Sequence, residues 1–329
     1  MEYLLLIVSL GMILIAAEVF TNGVEWLGIR LRLAEGAVGS ILAAVGTALP
    51  ESLIPLIAFI FGKGTQEQHI GIGAIIGAPF MLSTLAFFIS GLVVVLDRRR
   101  RFHFPALAVE AGVIRRDLVF FFCGYTLGLG AAFIEPAYVK KIIAAILLVL
   151  YSFYVFLTLR GGKTIEQSSE LRPLIISGSK GRPRLLLILL QIVLSLLLLV
   201  SGAELFIKNV EAISMMLGVP SFFLSLIIAP IATELPEKFN SIIWLKQHKD
   251  TLAIGNITGA MVFQSVVLPS IGIFFTDWRF VSGSEVPILM TYASVILAYL
   301  SLKIRKRLNA YVLLAGAVFY LFFLWTTLH

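Results

Sequence analysis

The chain has 329 residues, 59% of them hydrophobic and only 14% charged, with a mean hydropathy of +0.98. A soluble domain of this make-up would expose large apolar patches and aggregate, so lipid is the implied solvent. The formal net charge of +7 does not point to nucleic acid, because the basic residues sit in short loops between apolar runs, where they set orientation.

Apolar runs fall near 3–24, 36–62, 68–96, 117–135, 138–159, 185–210, 220–245, 251–275, 285–302 and 309–328. Each is close to the roughly 20 residues that cross a bilayer. Backbone exposed to lipid must satisfy its own hydrogen bonds, so these ten spans are expected to be helices of an all-α membrane protein. They do not alternate as barrel strands would. The first run is longer than a signal-peptide core and lacks a basic leader, so it reads as a retained span. Cys123 lies within the fourth run and is expected to be a buried, inert thiol. One set of loops carries Arg30 and Arg32, Arg98 to Arg101, Arg115 and Arg116, the 160–184 linker, Lys246 and Lys249, and Lys303 to Arg307. That side should be cytoplasmic. Both termini are then expected outside, and the plasma membrane is the expected location.

The two halves resemble each other. AVGTALPESLIPLIAF (44–59) matches PIATELPEKFNSIIWL (230–245), which pairs Glu51 with Glu237, Pro50 with Pro236 and Thr47 with Thr233. At the same offset Glu18 pairs with Glu204 and Glu25 with Glu211. GIGAIIGAPFMLS (71–83) matches AIGNITGAMVFQS (253–265). Residues 1–160 and 185–329 therefore read as two repeats of five spans, joined by a cytoplasmic linker at 161–184. An odd number of spans inverts the second repeat, the plan of secondary transporters, whose site lies at the repeat interface near the midplane.

Ionisable groups at that depth are costly and mark ion or substrate paths. Thr47 and Glu51, and Thr233 and Glu237, are four residues apart and share a helix face. Hydroxyl and carboxylate oxygens suit Na⁺ or Ca²⁺. Pro50 and Pro236 are expected to break their helices and free carbonyls for the cation. Glu234 is close enough to Glu237 for the pair to hold a proton near neutral pH. Gln264 is a candidate ligand through its carbonyl, and Asn256 a partner in a helix–helix hydrogen bond. Gly73 and Gly77, and Gly255 and Gly259, have the spacing of close helix packing, expected against the glutamate-bearing spans. Glu18 and Glu204 either line entry paths or sit solvated at the interface. The four histidines lie at loops or the terminus and do not suggest a metal site.

These motifs resemble the cation/calcium exchangers, which include sodium/calcium exchangers. That family carries G-T-S-x-P-E in its second and seventh spans, here Gly46-Thr47-Ala48-Leu49-Pro50-Glu51 and Ala232-Thr233-Glu234-Leu235-Pro236-Glu237. Its following G-N-x-x-G-S-N-type motif is here Gly73 to Pro79 and Gly255 to Met261. The resemblance implies Glu51 and Glu237 as central calcium ligands, with oxygens from Thr47 and Thr233, and sliding of the first and sixth spans. Positions that help form sodium sites in relatives are Ala48, Glu234, Ala78, Ala260, Leu82 and Gln264 here. Their replacement bears on sodium coupling and stoichiometry; the calcium pair is kept.

The expectation is a secondary antiporter exchanging Ca²⁺ for Na⁺, with the same fold coupled to H⁺ or K⁺ as the alternative. Inorganic cations and the bilayer are the expected partners of a monomeric transport unit, with no cofactor and no nucleic acid. A cation channel is a remote alternative, since no pore-loop segment is visible. An enzyme is not expected, because no paired His, Ser or Cys lies within the spans.

Overall fold

The computed structural model describes residues 1–30, 43–62, 64–160, 173–178 and 183–328. At 28–29, 43–50, 159, 232, 235–240, 305 and 328 the description is of the backbone alone. In hydrocarbon each backbone N–H and C=O must find a partner within its own segment, and the apolar runs meet this demand as helices. These are α1 (Glu2–Arg30), α2 (Ala43–Ile60), α3 (Thr65–Leu96), α4 (Ala111–Gly130), α5 (Ala137–Arg160), α6 (Leu185–Leu217), α7 (Ser221–Lys246), α8 (Asp250–Phe275), α9 (Glu285–Arg305) and α10 (Ala310–Leu328). A π-helical turn at Leu82–Ala86 lies just beyond Pro79 in α3. Proline lacks the N–H that the preceding turn needs, and a wider turn absorbs the mismatch.

Among the described residues, eight of these helices are long and apolar enough to cross a membrane. The other two are α2 and α7, whose side chains are described only in part; within them Glu51–Ile60 and Ser221–Ile231 are shorter apolar helical stretches. The expected helix breaks do not occur: α2 stays helical through Pro50, and α7 through Pro230 and Pro236.

The apolar side chains form two cores. One joins α1, α2 and α6 to the edges of α3 and α7, through residues such as Ile13, Ile54, Leu199, Phe206 and Ala229. The other joins α3 to α5 with α7 to α10, around Phe80, Phe121, Phe222, Val266 and Phe323. The packing partners are mirrored between the two halves. α3 packs on α7, α9 and α10, and α8 correspondingly packs on α2, α4 and α5. α1 and α6 pack along each other. A described piece of the linker, residues 173–178, is tied to this pair: the Ile175 amide donates to Asn22 Oδ1 and the Ile176 amide to Gln191 Oε1.

The first glycine pair packs as expected. A Cβ on Gly73 would lie 2.4 Å from the Phe222 carbonyl oxygen, and one on Gly77 2.2 Å from that of Leu226. Only a hydrogen fits there, so α3 lies directly on the backbone of glutamate-bearing α7. For the second pair, among the described residues, the atom nearest to a Cβ on Gly255 would be Ile114 Cδ1 at 4.0 Å, and to one on Gly259 the Tyr154 hydroxyl at 3.6 Å. Cys123 is exposed on α4 rather than buried, and lines a cavity of about 680 Å³ with Phe122, Thr126 and Ile143. A two-residue strand pair, β1 (Ala106–Leu107) against β2 (Leu308–Asn309), closes one end. Pieces this short carry no sequence period, so they were not foreseen.

The close approach at the first pair is testable by thermal melts of detergent-solubilised protein. Gly77→Leu should lower the melting midpoint strongly, since overpacking against a backbone that cannot move costs about 1–3 kcal/mol or more.

Candidate functional site

The site lies where α2, α7 and α8 meet. Glu51 on α2 is 7% exposed, Thr233 and Glu234 on α7 are 4% and 0%, and Gln264 on α8 is 0%. Gln264 Nε2 donates to Glu51 Oε2 at 2.8 Å. The same nitrogen donates to Glu234 Oε1. One side-chain amide thus holds two buried carboxylates from two different helices. Gln264 Oε1 is also buried and accepts no hydrogen bond among the described residues. It is a neutral oxygen available to a cation in the same place. The Thr233 hydroxyl donates to the Ala229 carbonyl at 3.0 Å, one turn back, which leaves its lone pairs facing the site's surroundings.

α8 comes close enough to reach both carboxylates because it packs against α2 and α7 along its length. Asn256, two turns earlier on α8, donates to Ser241 Oγ on α7 at 3.2 Å, the helix–helix bond expected of it.

Glu51 is joined to Glu234 through Gln264. The expected pairing of Glu51 with Glu237, and the oxygen of Thr47, lie outside the described residues, which include the backbone of these two positions but not their side chains. Gln264 was expected to offer its carbonyl, and its amide nitrogen turns out to do the organising. Among the described residues no three His, Cys, Asp or Glu side chains converge as a preformed metal site.

One buried acid was not foreseen. Asp117 on α4 is 2% exposed. It accepts from Thr258 Oγ1 on α8 at 2.8 Å and from the Tyr154 hydroxyl on α5 at 3.1 Å, with Arg116 Nη2 also at 3.1 Å. It follows Arg115 and Arg116 directly, so in sequence it reads as the polar edge of a span. The adjacent LVFFF run was the available signal that it is carried inward.

Two carboxylates buried together, in a membrane bundle with ten helices among the described residues, narrow the comparison to cation transporters. The family model described as sodium/calcium exchanger protein matches residues 1–160 and 187–328. The chain belongs to the sodium/calcium exchanger family. It is accordingly a multi-pass membrane cation/calcium antiporter and not an enzyme. Within that class it is 22% identical, over 98% of each chain, to the putative antiporter CaxA of Alkalimonas amylolytica. Its fold is similar to the crystal structure of the H⁺/Ca²⁺ exchanger CAX, with a TM-score of 0.76 at 17% identity, covering 100% of this chain and 82% of that one. It is also similar to the sodium–calcium exchanger NCX_Mj, with a TM-score of 0.57 at 17% identity and coverage of 98% and 96%.

In this exchanger, Gln264→Leu should strand two buried carboxylates without their shared donor. Hydrogen bonds to charged groups contribute about 1.5–3 kcal/mol each. The thermal midpoint should therefore fall further than in Asn256→Ala, which loses one neutral bond of about 1 kcal/mol. Equal losses in the two variants would show that the bridge does not hold the site together.

Proposed function

We propose that the chain exchanges Ca²⁺ against protons at the Glu51–Glu234–Gln264 site, with Thr233 beside it and Thr47 and Glu237 on the same two helices completing the oxygen set. The observation that carries this reading is the convergence of Glu51 and Glu234 on one amide nitrogen. Two carboxylates held this close are stabilised by positive charge placed between them. Ca²⁺ brings two such charges at once, and protons take its place when it leaves. Competition between the two at one site is the condition for exchange.

The proton is thus favoured over the sodium ion expected from the sequence. The positions lost relative to sodium-coupled relatives support the same choice, as does the likeness to a structure named as an H⁺/Ca²⁺ exchanger. Sodium is the second reading. Gln264 Oε1, a neutral buried oxygen, suits it, and so does the family's description.

Alternating access follows from two inverted five-helix halves, 1–160 and 185–329, with the linker on the cytoplasmic side and both termini outside. The mirrored packing of α3 and α8 supports this division. Rocking of one packed body against the other would expose the site to each side in turn. One chain contains the whole site, so a monomer suffices as the transport unit.

⁴⁵Ca²⁺ uptake into proteoliposomes tests the reading. Vesicles with an acidic interior should take up Ca²⁺ several-fold faster than vesicles at equal pH, and Glu51→Gln should abolish the difference. Glu234→Gln should weaken the response to pH more than it weakens Ca²⁺ binding. A larger uptake driven by a Na⁺ gradient at clamped pH selects sodium instead. Full exchange by Glu51→Gln under either gradient removes this site from the mechanism.

A further inference from the structure

The segment between α3 and α4 is built as a rigid mount for three arginines and a phenylalanine. Arg101 turns inward. Its Nη1 lies 2.9 and 2.8 Å from the two Asp250 carboxylate oxygens, and its Nη2 donates to the Leu245 carbonyl at 2.5 Å. Asp97 Oδ2 lies 3.1 Å from His248 Nε2. The Ala108 amide donates to Asp250 Oδ2 at 2.8 Å, and the Glu110 amide to Thr251 Oγ1 at 2.9 Å. β1 pairs with β2, and the Ala310 amide donates to the Pro105 carbonyl at 2.8 Å. The segment is therefore fastened to both the α7–α8 turn and the α9–α10 turn.

What it holds outward is unlike the rest of the surface. Arg98, Arg99 and Arg100 form one 3₁₀ turn and are all exposed. Among the described residues none of the three has an ion-pair partner. Phe102 is fully exposed, at 103%. The turn begins two residues after Leu96, the exposed last residue of the α3 span, so the guanidinium groups stand where that span leaves the hydrocarbon.

We propose that this turn is a binding surface for anionic phospholipid headgroups of the adjoining leaflet. Guanidinium groups match phosphate oxygens in charge and in paired-donor geometry. An exposed aromatic beside them supplies the apolar half of an interfacial contact. Juxtamembrane basic clusters are drawn to anionic lipid in this way. Position selects lipid over a soluble anion, since the patch adjoins the end of a membrane span. Because Arg101 joins the same turn to Asp250, the first residue of α8, and to the end of α7, a bound headgroup would brace the junction of two helices that line the cation site.

The proposal is tested on the full-length purified protein by native mass spectrometry, titrated separately with phosphatidylglycerol and phosphatidylcholine. Wild type should retain phosphatidylglycerol preferentially. Arg98→Gln/Arg99→Gln/Arg100→Gln should weaken that retention by about fivefold for each arginine removed, while the matching triple Lys substitution keeps most of it. Phosphatidylglycerol should also raise the thermal midpoint of wild type and not of the Gln variant. If the triple variant fails to fold, Arg99→Gln alone should show the fivefold loss. No preference for phosphatidylglycerol in wild type, or unchanged retention in the folded Gln variants, would overturn the assignment. So would displacement of the lipid by inorganic phosphate or by a polyglutamate peptide, which would point to a soluble anion or an acidic protein instead.

Discussion

Everything about the site depends on one hydrogen-bonding nitrogen. Gln264 Nε2 reaches Glu51 on one helix and Glu234 on another, and both carboxylates are buried. In a low-dielectric interior a carboxylate without partners is costly, and two close together are costlier still. The Gln264 amide lowers that cost and ties the two acid-bearing helices together at this point.

The rest of the fold brings three helices close enough for that contact. Gly73 and Gly77 let α3 lie on the backbone of α7, so α7 is held by a surface with no side chains to reorder. α8 is fixed at its first residue by Arg101 and Asp250, and further along by Asn256 to Ser241 and Thr258 to Asp117. These polar contacts step along α8 toward Gln264. Each is a cross-helix bond in an otherwise apolar bundle, where dispersion alone would allow helices to slide. The prolines act differently from their expected role. α2 and α7 stay helical through them, so the missing N–H groups leave local carbonyls unsupplied without dividing either helix.

The two cores divide the bundle. α1, α2 and α6 share one apolar cluster, and most of α3 to α5 and α7 to α10 share the other. Glu51 is carried by a helix of the first group; Glu234 and Gln264 are carried by helices of the second. The bridge therefore spans the boundary between the two clusters. The linker residues fastened to Asn22 and Gln191 add to the first group.

Much was legible in the chain alone. Apolar length announced the helices, and the repeated Thr-x-x-Pro-Glu segments singled out Glu51, which is buried. Gly73 and Gly77 were readable as a packing face, and Asn256 as a cross-helix donor. These features are local, or recur at a regular spacing, so composition and periodicity carry them. The partner of Glu51 was not legible, because Gln264 is distant in sequence and nothing in its neighbourhood specifies which of its two amide atoms faces which acid. Asp117 looked like the rim of a span and is a buried acid. Sequence by itself determined that this is a helical membrane protein with carboxylates inside its apolar spans. Tertiary structure alone decided which carboxylates meet, because burial of charge is settled by the groups that other helices bring to it.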